Sequence, residues 1–307
     1  MRAIRHLTVL AIVSASLALT ACGANATPTP AGAVSSFATA TDWVVGLNRF
    51  PFALIRLDGS SVDGASVTVH FSSLATDGSE ELKGSQAAVF HQIEGSTDHF
   101  HPDESVHEHP LFRSVYVVSQ AQFDVPGIWI ARIEGMNADG ASMAVGDLGF
   151  RVSETSATVP VGGAVPLIKN LTLRDVASIS EITSADSPEP GLYQLTVAEA
   201  LGQSKPLVIA FASPAFCVSA MCGPVTQVVV EQFKAYGSQV NFIHIEPWNL
   251  EVARNESRLE PSQAALEWGL QTEPWVFVID AEGNVSSRFE GLVGASELAA
   301  AIAKVVK

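Results

Sequence analysis

Cys217 and Cys222 are the residues of this chain whose types and spacing most directly suggest chemistry. They stand in the stretch AFCVSAMCGPV with four residues between them, directly after the apolar run PLVIAF. A thiolate attacks disulfides and binds soft metal ions, and a second thiol within reach resolves the mixed disulfide that the first one forms. Three interpretations are therefore open: a redox pair, a metal site, or a permanent structural disulfide.

The elements on either side must position this pair. PLVIAFAS reads as a buried strand and PVTQVVVEQFKAY as a helix, and a helix N-terminus stabilises a thiolate through its unpaired N–H groups. Residues five apart on a regular helix lie on different faces, so a disulfide requires Cys217 to lie in the loop before the helix. We expect Cys217 to be the more exposed, attacking thiol and Cys222 the resolving thiol.

The rest of the chain divides by pattern into segments, and its 307 residues favour two domains. Residues 42–154 show short apolar or alternating runs separated by turn signals such as Asp58-Gly59, which predict an antiparallel β-sandwich. Strands and helices alternate over residues 186–307, which predicts an α/β domain. The Pro-, Ser- and Thr-rich residues 23–41 are predicted to be a flexible linker, and residues 155–185 an interdomain linker.

The C-terminal domain resembles the thioredoxin superfamily through AFCVSAMCGPV, TEPWVFVIDAEGNVSSRFEG and a closing helix at ELAAAIAKVV. The resemblance implies an α/β thioredoxin-like fold that exchanges thiols and disulfides without a cofactor, with Cys217 and Cys222 as the reacting pair. It also implies that Pro274 is a cis-proline and that the backbone of Glu273 faces a partner. Ala210 stands where the family usually holds a buried Asp.

The N-terminus carries Arg2 and Arg5, an apolar run and small residues before Cys22. Leu19-Thr20-Ala21-Cys22 resembles the lipobox of bacterial lipoproteins. The resemblance implies that residues 1–22 are a lipoprotein signal peptide with its lipobox, that Cys22 carries lipid, and that the protein is anchored on the extracytoplasmic face of the cell membrane. The alternative is a plain secretory signal followed by a free cysteine. Disulfides form and persist in either of those locations.

The composition limits the possible partners. The chain is 47% hydrophobic, and its 32 acidic residues outnumber its 17 basic residues. Hydrophobic content at this level supports buried cores, and the excess of acid predicts a negative surface. Nucleic acid is not expected as a partner, because binding its phosphates requires clustered Lys and Arg.

A second candidate site lies in DHFHPDESVHEHP, within the predicted sandwich. It holds four of the eight histidines of the chain, which are His99, His101, His107 and His109. Residues two apart in an extended segment point to the same side, so each His-x-His pair could hold a metal ion such as copper or zinc. The alternative is a solvated acidic loop.

The sandwich itself resembles extracytoplasmic immunoglobulin-like modules of the copper-handling kind, through RFPFALIRLDG and FDVPGIWIARIEG. Copper at Cys217 and Cys222 with His244 is a further metal hypothesis, since thiolates suit Cu(I). His244 and Glu246 in FIHIEPW are otherwise interpreted as a base near the cysteines or as residues of the core.

The leading hypothesis is a membrane-anchored extracytoplasmic thiol-disulfide oxidoreductase, whose partners are extracytoplasmic proteins with thiols or disulfides. One alternative is a copper-binding or metal-delivery lipoprotein that uses the Cys pair, the histidine segment or both. Another is a non-catalytic envelope module in which Cys217 and Cys222 form a fixed disulfide.

Overall fold

The computed structural model describes residues 33–93, 99–100, 106–107 and 113–306. Of these residues, 38% lie in strands and 19% in helices. The strands before residue 154 are β1 (Ala33–Ala38), β2 (Trp43–Val44), β3 (Gly46–Arg56), β4 (Ser66–Leu74), β5 (Glu80–Gln92), β6 (His99–Phe100), β7 (Val106–His107), β8 (Ser114–Phe123), β9 (Gly127–Met136), β10 (Ser142–Val145) and β11 (Leu148–Ser153).

Seven of these strands close into a barrel. They pair in the order β10, β1, β3, β8, β5, β4 and β9, and β9 pairs back onto β10. The barrel is mixed, because β1 and β10 are parallel whereas the other neighbours are antiparallel. Strands β11 and β2 extend the sheet from β9.

The predicted immunoglobulin-like sandwich is therefore wrong. A sandwich consists of two separate sheets with free edges, whereas the pairing of Ser142 with Met136 and of Ala33 with Ala144 leaves the seven strands in one closed ring. The sequence pattern does not distinguish the two architectures, because strands of both alternate between apolar and polar residues.

Aromatic side chains fill the barrel. In β4, for example, Val67, Val69 and Phe71 alternate inward and are buried. Phe71 meets Phe50 of β3 edge-on, with ring centroids 5.0 Å apart. Ring pairs in this geometry add to the free energy gained by burying apolar surface. The larger buried aromatic residues of this cluster are Trp43, Phe50, Phe52, Phe71, Tyr116, Phe123, Trp129 and Phe150.

A smaller mixed sheet follows in the chain, flanked by helices. Its strands are β12 (Leu207–Phe211), β13 (Asn241–Ile245), β14 (Trp275–Ile279) and β15 (Val285–Glu290), in the order β13, β12, β14, β15. Strands β12 and β13 are parallel, and the other pairs are antiparallel. The helices are α1 (Val197–Gly202), α2 (Cys222–Tyr236), α3 (Leu250–Glu256), α4 (Gln263–Glu267) and α5 (Ala295–Ala303), with 3-10 turns at Ile179–Glu181 and Pro190–Tyr193.

The barrel and the smaller sheet share a core. Every residue of β12, β13 and β14 is buried, because both faces of this sheet are covered. Val115 and Val117 of β8 pack in the same cluster as Val208 and Val276, while the intervening Tyr116 packs inside the barrel. The described residues accordingly belong to one unit by their contacts.

The predicted fold class, an α/β thioredoxin-like domain joined to a β-sandwich, is wrong for this mostly β chain. The barrel is the dominant architecture, and the C-terminal residues contribute a four-stranded sheet that packs against it. Strand β1 lies inside the range predicted as a flexible linker, where it pairs with both β3 and β10. In the described ranges, no helix has the length and apolar character needed to cross a membrane.

Candidate redox site

The loop between β12 and α2 carries the two cysteines. Strand β12 ends at Phe211, and α2 begins at Cys222, so Cys217 lies in the loop, as the sequence predicts. Both cysteines are free thiols. Met221 at the helix N-cap provides no side-chain hydrogen bond, so the first N–H groups of α2 are open to another acceptor. That acceptor is the sulfur of Cys217.

Cys217 is partly exposed, and donors surround its sulfur. The backbone N–H of Cys222 donates to Cys217 Sγ over 3.2 Å, and Ser219 Oγ lies 3.4 Å from the same sulfur. Burial raises the pKa of the Cys217 thiol, but the hydrogen bonds from Cys222 and Ser219 outweigh it and bring the pKa to about 6. Cys217 is therefore largely a thiolate at neutral pH.

Cys222 is fully buried at the start of α2. Its Sγ donates to Glu273 Oε2 over 3.4 Å. Burial raises the pKa of the Cys222 thiol well above its usual value, and the neighbouring Cys217 and Glu273 raise it further. The two thiols therefore differ in both access and ionisation, with the reactive thiolate outside and the protonated thiol inside.

Glu273 brings a carboxylate to the cysteines from the loop before β14. Only 7% of its surface is exposed. Oε1 accepts the backbone N–H of Val218 over 2.9 Å, and Oε2 accepts Trp248 Nε1 over 3.1 Å. Burial and the charge of Cys217 raise the pKa of Glu273 to about 8, against the opposing effect of its donors.

The sequence predicts a role at this site for the backbone of Glu273 only, whereas the structure shows that its side chain contacts Cys222 as well. The signal available in the sequence was an acid directly before Pro274, in a loop predicted to face the cysteines. The Glu273–Pro274 peptide bond is cis, as expected. Trp248 and Ser219, which hold Glu273 and Cys217, were also missed.

A groove of about 440 Å³ runs beside Cys217. Apolar residues such as Pro214 and Val230 line it together with the charged Asp186, Glu189 and Lys234. The groove leaves room beside Cys217 for a segment of another molecule.

His244 lies in the core rather than at the cysteines. Its Nδ1 pairs with the hydroxyl of Tyr193 at 2.9 Å, and its Nε2 lies 2.9 Å from the carbonyl of Ala212. Burial lowers the pKa of His244 to about 4, so the ring is neutral. Glu246 is also buried and accepts the N–H of Ser184 over 2.6 Å.

The remaining predicted site residues are only partly described. Strands β6 and β7 pair His99 with His107 across an antiparallel ladder. His101, His109 and Cys22 lie outside the described residues. Metal binding by the histidine segment and lipid attachment at Cys22 stay predictions.

The residues that could hold a metal ion at the cysteines differ from the predicted set. The two sulfurs and a carboxylate oxygen of Glu273 lie within 4.8 Å of one another, whereas both ring nitrogens of His244 have other partners. Two thiolates and a carboxylate form a donor set that suits zinc, and thiolates also suit Cu(I). Copper or zinc binding here stays a prediction.

Comparison with known proteins assigns no family. No protein-family model matches the chain, and no curated protein matches it. Among solved structures the chain is similar to a family 123 glycoside hydrolase from Clostridium perfringens, at 13% identity and a TM-score of 0.20, over 42% of this chain and 28% of that one. So weak a likeness carries no argument. The predicted membership of the thioredoxin superfamily and the predicted immunoglobulin-like module are wrong because the chain is mostly β with a closed seven-stranded barrel, and the site is interpreted from its own geometry.

Proposed function

We propose that the protein is a thiol-disulfide oxidoreductase that uses Cys217 and Cys222. The observation that carries this proposal is the difference between the two thiols. Cys217 is partly exposed with a pKa of about 6, and Cys222 is buried with a raised pKa. A fast attacking thiol needs a thiolate that is accessible at ambient pH, and a resolving thiol needs proximity rather than exposure.

The reaction proceeds in two exchanges. The Cys217 thiolate attacks one sulfur of a partner disulfide, forms a mixed disulfide and releases the other partner sulfur as a thiolate. Cys222, as a thiolate, then attacks Cys217 Sγ, and the electron pair of the mixed disulfide leaves with the partner sulfur. The partner is reduced by two electrons and the protein is oxidised to a Cys217–Cys222 disulfide. The reverse sequence oxidises a partner dithiol.

The expected partners are extracytoplasmic proteins with thiols or disulfides, and no cofactor is required. The N-terminal sequence, with its lipobox-like Leu19-Thr20-Ala21-Cys22, supports a lipid-anchored position at the extracytoplasmic face of the membrane. The groove of about 440 Å³ beside Cys217 supports such partners, because it can hold a segment of another molecule next to the attacking thiol.

The test compares Cys217→Ser and Cys222→Ser in the full chain, with Cys22→Ala in every protein so that only the two site thiols can react. Reduction of the aromatic disulfide DTNB releases two coloured thiolates per reduced wild-type chain. Cys222→Ser should release one and retain the other as a stable mixed disulfide, and Cys217→Ser should lose the fast reaction.

The pH dependence gives an independent measurement of the same site. The rate at which iodoacetamide alkylates Cys217 should rise with pH and reach half its maximum near pH 6. Only the thiolate reacts, and the pKa of the Cys217 thiol is about 6. A midpoint near 8.5, the ordinary value for a free thiol, or an unchanged reaction with DTNB in Cys217→Ser would refute the proposal.

A further inference from the structure

We propose that Glu273 is a catalytic residue that accepts the proton of Cys222 when this thiol resolves the mixed disulfide. The inference rests on the proposed oxidoreductase function and adds a third reacting group to it. Resolution needs a Cys222 thiolate, yet burial keeps this thiol protonated. A base must therefore lie next to the buried sulfur.

The contacts of Glu273 fit this role. Its Oε2 lies 3.4 Å from Cys222 Sγ, within the range for a hydrogen bond to sulfur. The other two contacts of the carboxylate, from Val218 N–H and Trp248 Nε1, are also donors. All three partners thus favour an ionised carboxylate and fix it against the thiol.

Other ionisable groups close to this part of the fold are engaged elsewhere. Both ring nitrogens of His244 already have partners. Glu246 Oε1 accepts the N–H of Ser184, and neither oxygen of this carboxyl has a hydrogen bond with Cys222 Sγ. Within the described chain, Glu273 is the carboxylate whose oxygen contacts Cys222 Sγ.

The charge of Cys217 couples the ionisation of Glu273 to the reaction. Cys217 and Cys222 are the titratable groups that face this carboxyl, since Val218 N–H and Trp248 are neutral. In the dithiol state burial, and after it the charge of the Cys217 thiolate, raise the pKa of Glu273, which favours its protonated form. Formation of the mixed disulfide removes that negative charge and lowers the pKa. Glu273 therefore ionises more readily at the step that requires a base than it does in the dithiol state.

The proposed step transfers one proton and replaces the mixed disulfide by a bond between Cys217 and Cys222. The proton of Cys222 Sγ passes to Glu273 Oε2, and the resulting thiolate forms a bond to Cys217 Sγ. The bond between Cys217 and the partner sulfur breaks, and its electron pair leaves with the partner. The departing thiolate takes a proton from Glu273 or from water.

The experiment follows both exchanges with DTNB by stopped-flow absorbance, in the full chain with Cys22→Ala. The first thiolate released reports attack by Cys217, and the second reports resolution by Cys222. In Glu273→Gln the first phase should stay within about threefold of wild type, whereas the second should slow by about 100-fold at pH 7, the usual effect of losing a general base. Its rate should then rise about tenfold per pH unit, since hydroxide replaces the base, whereas the wild-type rate levels off.

Glu246→Gln is the matched control, because it removes another buried carboxyl with no hydrogen bond to either sulfur. Both phases should keep their wild-type rates. An unchanged rate and pH profile of the second phase in Glu273→Gln would overturn the role of Glu273. If Glu273→Gln does not fold, Glu273→Asp is measured instead and judged by the same criteria. The side chain of Asp is one methylene shorter, so its carboxylate lies farther from Cys222 Sγ. If wild type shows no first phase, or if Cys217→Ser still shows it, the proposed function itself is refuted.

Discussion

Ala220, in the loop that separates the two cysteines, has a left-handed backbone with φ of 59°. The Cβ atom of a non-glycine residue is crowded in this conformation, at a cost of about 1–2 kcal/mol, whereas glycine adopts it freely. Ala220→Gly should therefore raise the free energy of unfolding by about 0.5–1 kcal/mol, after subtraction of the extra entropy that glycine gives the unfolded chain. Urea denaturation measures the change.

Ala215→Gly is the control in the same loop, because Ala215 is not among the residues with positive φ. This substitution adds unfolded-state entropy without relieving strain, so it should lower stability by about 0.5–1 kcal/mol. Equal effects of the two substitutions would show that the backbone of Ala220 carries no strain.

At the scale of residues, the sequence identifies the reactive pair but not its complete surroundings. The position of Cys217 in a loop before a helix follows from local patterns, and so does its greater exposure. The carboxylate of Glu273 is 51 residues from Cys222 in sequence, and Trp248 is 25 residues from Glu273. Contacts at such separations depend on how strands are arranged, which no local pattern encodes.

Two glycines with positive φ flank β15 and differ in the space around them. A Cβ on Gly283, in the turn before the strand, would lie 3.6 Å from Leu201 Cδ2, an ordinary contact. A Cβ on Gly291, after the strand, would lie 1.6 Å from the carbonyl oxygen of Thr39. Gly283→Ala should therefore lower the free energy of unfolding by only about 0.5–1 kcal/mol, which is the backbone strain less the unfolded-chain entropy that alanine removes.

Gly291→Ala should lower the free energy of unfolding several-fold more than Gly283→Ala does, since the backbone of Thr39 or of the turn after β15 must move as well. Urea denaturation measures both changes. Thr39 directly follows β1, so the displacement would disturb the place where the barrel meets the smaller sheet. Similar losses of stability for the two alanine variants would contradict the close approach of Gly291 to Thr39.

At the scale of elements, the sequence predicts most individual strands but not their pairing. Turn signals such as Asp58-Gly59 correctly separate neighbouring strands, and VAEALG forms the predicted helix α1. The segment AVSSFA lies in the range 23–41, whose small and Pro-, Ser-, Thr- and Ala-rich residues predict a linker, yet as β1 it hydrogen-bonds on both sides. Its pairing with β10 spans more than 100 residues. Closure of the barrel depends on this non-local contact, so local alternation could not reveal it.

At the scale of the whole molecule, a partly buried ion pair joins the barrel to helix α5, which packs with the smaller sheet. Arg49 of β3 forms two hydrogen bonds with Glu297 of α5, at 2.7 and 2.8 Å, and Arg49 Nη2 also donates to the carbonyl of Leu292 over 2.6 Å. The side chains of Arg49 and Glu297 are 13% and 15% exposed. A pair this well shielded from water is strongly coupled, and removal of one partner leaves a buried charge.

Arg49→Met should lower the free energy of unfolding by about 3 kcal/mol, because it leaves the carboxylate of Glu297, which is largely shielded from water, without its cation. Burial raises the pKa of Glu297, but Arg49 outweighs this effect in the native protein and holds the pKa below its usual range. Without Arg49 the pKa rises above the unfolded value, so the folded variant binds more protons and loses stability as pH increases. The loss should be greater at pH 8 than at pH 5 in urea denaturation.

Arg174→Met is the matched control, since Arg174 and Glu199 form an equally short pair of 2.7 Å in which the side chains are 61% and 43% exposed. Solvent screens that pair, so its loss should cost less than about 1 kcal/mol. The double variant Arg49→Met with Glu297→Gln should recover part of the loss, because it removes the unpaired charge as well. A cost for Arg49→Met no larger than that for Arg174→Met, or strict additivity in the double variant, would mean that this ion pair does not hold the two parts of the molecule together.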